Sequence, residues 1–264
     1  IYSGLTGEKA KAAYAMVIGI CAELSFFVFN DKKLNKSNYL LILLYFLATM
    51  LTSKRMLCVI ILLEIGVAIK LFDFKGKSVK IILGGAIALV AVFVITITIP
   101  QTSNIVDRFM EASEDTSAGG RLMFWNYCIE MFKDKPIIGY GINTFNKAFS
   151  DNVGYVYQGS RWNMYAHSMY YELLGETGIV GIVLFGFFML YSLVYSLRLF
   201  RNSCLSNVWK GLLWFSISLQ ILFIVYGYSG NVLYDKAQLF TYLSSISMLI
   251  AVSYHAFNEK EILI

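Results

Sequence analysis

The chain has 264 residues, of which 58% are hydrophobic, 16% aromatic and only 15% charged, with a formal net charge of +5. Those proportions lie far outside soluble globular averages and mark an integral membrane protein. The small positive balance is accounted for by loop lysines and arginines and gives no reason to expect nucleic acid as a partner.

A crossing takes roughly 20 apolar residues at a rise of about 1.5 Å each. Seven stretches qualify: 12–29, 38–52, 56–71, 81–99, 177–197, 211–228 and 237–255. The second and third are short and need tilting or flanking residues to reach across. The predicted fold is all-α, a polytopic transmembrane helical bundle forming one membrane domain over 1–264. Because the chain opens on Ile1 and no basic, cleavable leader precedes the first span, it reads as the C-terminal part of a longer protein. The four cysteines, Cys21, Cys58, Cys128 and Cys204, form no disulfide framework and read as packing residues, Cys128 alone in a loop.

Positive charge is retained on the cytoplasmic side. Lys32, Lys33 and Lys36 mark one inner connection, Lys70, Lys75, Lys77 and Lys80 a second, and Arg198, Arg201 and Lys210 a third. Residues 1–11, the tight TSKR connection at 52–55, the long segment 100–166 and the short 229–236 then face outside. A connection as long as 100–166 is usually functional or separately folded. Within it RLMFWNYCIEMFKDK, near 121–133, has helical apolar spacing before Pro136 and is expected to lie on the bilayer surface. IIGYGINTF follows with a glycine turn, and then SDNVGYVYQGSRWNMY, a polar stretch rich in aromatics.

On this topology Arg55, Arg121 and His167 all fall at the outer membrane face. Guanidinium groups bind phosphate bidentately and stay charged anywhere, so two of them suit a lipid diphosphate. A neutral imidazole beside them could deprotonate a hydroxyl near neutral pH. Each has a plainer reading as well: Arg55 as a snorkelling anchor, Arg121 as a solvated helix residue, His167 as structural. Glu23 and Glu64, inside spans, are either functional or protonated and paired. His255 reads as structural, and Asp235 lies on the outer side with nothing further to recommend it. Tyr155, Tyr157, Trp162 and Tyr165 offer faces for sugar rings or make an interfacial belt, and Arg161 could meet a phosphate or an acidic sugar. GYSG at 227–230 resembles the GxSG of rhomboid intramembrane proteases, but His255 falls about a membrane thickness from Ser229, and a pairing with His167, which topology allows, reverses the chain order of that family. GYG at 139–141 lacks the third glycine of a nucleotide fingerprint. No cluster has metal-ligand spacing, so a metal-independent mechanism without cofactors is expected.

LTSKRMLCVIIL, GGRLMFWNYCIEMFKDKPIIGYGINTF and AHSMYYELLGETGIVGIVLF together resemble the O-antigen ligase-like family, which includes O-antigen ligases and Wzy-type polysaccharide polymerases. The shared pattern is an Arg at the outer mouth of a span (Arg55), an Arg with Trp four residues on (Arg121, Trp125), a proline-led turn (Pro136 to Gly141), and a His leading to E-x-G-hydrophobic-hydrophobic-G (His167, Glu176 to Gly181). Lys54 departs from the small residue usual beside the first Arg, and Ser168 from the Asn that commonly follows the His. The resemblance implies a GT-C-like, inverting glycosyltransferase of the bacterial plasma membrane with its active site outside. Its donor and acceptor would be undecaprenyl-diphosphate-linked glycans, with a flippase and a chain-length regulator as further partners. In that reading His167 is the catalytic base, Arg55 and Arg121 bind the diphosphate, and Ser168 and Glu176 support them. A polymerase of surface-polysaccharide repeat units leads, since the Lys-, Ile-, Tyr- and Phe-rich style suggests a low-GC host. A ligase acting on lipid A core or protein, and a transporter or flippase of lipid-linked sugar, are the alternatives. The resemblance also implies a helix break at Glu176 to Gly181, and an unbroken run from 168 to 199 would outreach the hydrocarbon core, so some break or protrusion is expected on length as well.

Overall fold

The computed structural model describes residues 9–29, 36–52, 54–71, 116–153, 165–201 and 205–262. Among these, eight helices follow in order: α1 Lys9–Phe29, α2 Lys36–Leu51, α3 Arg55–Leu71, α4 Thr116–Asp134, α5 Phe145–Val153, α6 Met169–Phe200, α7 Asn207–Tyr226 and α8 Lys236–Ile262. Four are long and apolar enough to cross a membrane, α1, α6, α7 and α8, while α2 and α3 contain shorter apolar stretches over Leu40–Leu51 and Met56–Ala68. The protein is a multi-pass helical membrane protein. The span expected over 81–99 lies outside the described residues.

The described parts form two compact units, one over 1–110, 193–223 and 240–264, the other over 111–192 and 224–239. In the first unit α1 packs on α2 and α3. A Cβ on Gly19 would meet the Tyr45 ring at 2.8 Å, so the lack of a side chain lets these helices close. The two intramembrane carboxylates sit inside this unit rather than facing lipid. Glu23 is buried and accepts a hydrogen bond from Asn38 Nδ2 at 2.6 Å. Glu64 is buried in reach of the Cys21 and Ser218 side chains. His255 stacks on Trp209 with centroids 4.2 Å apart, a packing role. Small polar side chains tie the later helices together, with Ser216 Oγ donating to the Ser245 carbonyl at 2.7 Å and Gln220 Nε2 to Ser196 Oγ at 3.0 Å. In an apolar interior such pairs satisfy groups that lipid cannot.

The second unit is built around α4 and α5. Cys128, Met131, Phe145, Phe149 and Ala166 make its buried core, with Phe124 and Tyr127 packed against it. Phe124, Tyr127, Cys128 and Met131 share one face of α4 by their spacing. That face is covered by α5 and by the segment leading into α6, while Leu122 and Met123 on another side of α4 stay exposed. Protein thus fills one part of the apolar periodicity of α4. Cys128 stands on α4 inside that core as a packing residue, and burial together with the charges of Glu172 and Glu176 pushes its thiol well above the ordinary range.

Candidate functional site

Lys133 in the last turn of α4 suits the helix C-terminus, and Pro136 forbids continuation. The chain then turns through Gly139 and Gly141, both at positive φ (65° and 109°). This turn docks on a break in α6, where Gly178 adopts φ 62° and ψ −160°. Only glycine occupies that region at low cost. The expected helix break therefore falls at Gly178, and three main-chain hydrogen bonds seal it. Ile179 N–H donates to the Pro136 carbonyl at 2.8 Å, Val180 N–H to that of Ile137 at 3.2 Å, and Gly141 N–H to that of Glu176 at 2.7 Å. The backbones approach so closely that a Cβ on Gly139 would strike the Glu176 and Thr177 main chain, and one on Gly178 the Ile137 carbonyl. The proline-led turn and the E-x-G break are thus two halves of one joint.

Glu176, fully buried, occupies the other side of that joint. Its Oε2 accepts from Asn143 N–H at 2.8 Å and its Oε1 from Phe145 N–H at 2.8 Å. Phe145 is the first residue of α5 and Asn143 stands in the turn just before it, where the helix's unsatisfied N–H groups and dipole favour a negative charge. The Tyr234 hydroxyl also donates to Oε2. Burial, and then the bond to Glu176, raises the Tyr234 hydroxyl far above the ordinary phenol range, so it stays a donor at any physiological pH.

One turn earlier, Glu172 Oε2 accepts Ala166 N–H at 2.9 Å. Trp125 Nε1 donates to the Ala166 carbonyl at 2.9 Å, and its ring stacks on Tyr171 with centroids 4.7 Å apart. Met169 N–H donates to the Gly227 carbonyl at 2.8 Å. Both flanks of His167 are therefore pinned, while His167 itself is exposed and has φ 54°. A left-handed backbone at a non-glycine residue costs on the order of 1–2 kcal/mol, and here the pinned neighbours impose it. The imidazole ring comes 6.2 Å, centroid to centroid, from that of Phe124. Arg121, also exposed, precedes Phe124 and Trp125 by one helical turn and so shares their face of α4. Replacing Trp125 by Phe keeps the ring and deletes the donor. The variant is expected to lose about 1 kcal/mol of stability, read as a lower thermal midpoint in detergent.

Of the residues singled out by sequence, Arg121, His167, Ser168 and Glu176 thus fall in one compact unit. Ser168 is buried, and its hydroxyl makes no hydrogen bond among the described residues. Tyr165 stacks on Tyr234 with centroids 5.8 Å apart. Tyr155, Tyr157, Arg161 and Trp162 lie outside the described residues. Arg55 opens α3 in the other unit, and its side chain is not among those described. Asp235 caps α8 through Oδ1, which accepts Ala237 N–H at 3.0 Å and Gln238 N–H at 3.2 Å. Sequence reasoning missed Glu172 and Tyr234. The signal for Glu172 was its i, i+4 spacing to Glu176 on one helix face; nothing in the sequence marked Tyr234.

The sequence pattern of the O-antigen ligase family matches residues 40–186, more than half of the chain. That interval includes Arg55, Arg121, Trp125, the proline-led turn, His167 and the break at Gly178. No curated protein matches the chain.

Proposed function

The chain belongs to the O-antigen ligase family, and on that premise we propose that it is a metal-independent, inverting glycosyltransferase that joins undecaprenyl-diphosphate-linked repeat units into a surface polysaccharide at the outer face of the plasma membrane. The observation that carries this reading is the pinned, exposed His167 beside the α4 face that bears Arg121. His167 takes the proton of the acceptor hydroxyl as its oxygen bonds to the anomeric carbon. The bond from that carbon to the diphosphate breaks on the opposite face, which inverts the centre. Negative charge grows on the departing diphosphate, and Arg121 receives it. Glu172, Trp125 and Glu176 touch no substrate in this scheme; they hold the main chain that aims the imidazole.

The test is chain growth by the purified full-length protein in proteoliposomes supplied with lipid-linked repeat units. The wild type is expected to yield a ladder of lengthened glycans. Arg121→Ala should slow it on the order of 10²-fold, with Arg121→Lys between the two. Transfer of a glycan to lipid A core without a ladder would replace the polymerase by a ligase. Movement of unaltered glycolipid across the bilayer would make the protein a transporter.

A further inference from the structure

The proline-led turn carries three isoleucines whose side chains find almost no cover: Ile137 is 64% exposed, Ile138 73% and Ile142 71%. A turn so apolar is unusual in water, where exposed loops are polar. Its position explains it. Pro136 and Ile137 hydrogen-bond to Ile179 and Val180, the first residues of α6 beyond the break. From there α6 runs on as the least buried of the four candidate spans. Val180, Val183, Leu184, Phe187 and Tyr191 recur at helical spacing and are all exposed, as the lipid-facing stripe of a span must be. The isoleucines therefore continue that stripe at its upper end. Around them stand the groups of a membrane–water interface: exposed Lys133 and Lys135, with the Lys135 ammonium 4.2 Å from the Tyr140 ring centroid, and the Tyr140 hydroxyl bonded to Asp134.

We propose that the turn 136–142 is a membrane anchor, its isoleucines set among the acyl chains of the adjoining leaflet beside the first turn of the α6 span. The occupant of this surface is the bilayer rather than a protein, because the patch is continuous with the lipid-facing stripe and edged by lysines and a tyrosine. The anchor holds more than itself. Through the joint at Gly178 and the Glu176 carboxylate it is fixed to α5 and to the helix that follows His167. It sets the depth at which the imidazole works.

The test places a genetically encoded dansyl amino acid at position 138, or at 142, of the full-length protein in phosphatidylcholine–phosphatidylglycerol vesicles. Both side chains are exposed, so the substitutions leave the core untouched. The expected result is blue-shifted emission, strong quenching by phospholipids carrying a nitroxide high on the acyl chain, and little quenching by aqueous iodide. Full quenching by iodide with none by the lipids would overturn the proposal by placing the turn in water. Protection from both quenchers would overturn it as well, by showing a protein cover.

Discussion

Replacing His167 by alanine is expected to lower the rate of chain growth by about 10²–10⁴-fold, the range spanned by a general base at its operating pH. The thermal midpoint should barely move, because the side chain is exposed and the two hydrogen bonds that pin Ala166 come from Glu172 and Trp125. His167→Gly separates the two roles of the position. Glycine tolerates φ 54° without the penalty that histidine and alanine pay, so this variant should be as inactive as the alanine form yet no less stable. Partial recovery of either by added imidazole would identify the missing group as the base. Unchanged chain growth in both would remove His167 from the chemistry.

The largest stability effect is expected at Gly178. Alanine there must hold φ 62°, ψ −160°, a conformation costing on the order of 1–3 kcal/mol for any residue with a Cβ. The new methyl also meets the Ile137 carbonyl carbon and oxygen at 2.5 Å, both of them backbone atoms. Relief would require the turn to lift off and release the Ile179 and Val180 N–H groups, each such loss costing about 1–3 kcal/mol. Together these place Gly178→Ala among the severe substitutions, at roughly 4 kcal/mol or more. Gly186→Ala is the reference, since nothing lies within 4 Å of its added Cβ. It should be neutral or slightly stabilising in mid-helix. Thermal unfolding in detergent, read for both variants, checks the difference; equal midpoints would contradict the sealed joint.

Much of this was legible in the residues. Hydropathy located the described spans because lipid leaves few other uses for a run of apolar residues. The break near Gly178 followed from a glycine-containing motif in a helix too long for the bilayer. What sequence could not supply was partnership. The apolar residues of α4 looked alike in sequence, and only the positions of Phe145, Phe149 and Ala166 show which of them, Phe124, Tyr127, Cys128 and Met131, are covered by protein. Periodicity reveals that a face is apolar without naming its occupant. Glu176 read as a supporting residue, yet its task, collecting N–H groups from Asn143 and Phe145, depends on a chain reversal no local pattern encodes. Tyr234 escaped for the same reason: one tyrosine among eighteen, distinguished only by the carboxylate it meets.

The joint at Gly178 also bears on how the protein comes to be made. The first two amides beyond the break in α6 are received by carbonyls of Pro136 and Ile137 rather than by the preceding turn of their own helix alone. Ribosomes deliver the acceptors before the donors. The turn 136–142 therefore cannot close this joint until α6 has been made and its start arrives to meet it. A chain stopped before α6 would carry the three exposed isoleucines without the helix that their turn is bonded to.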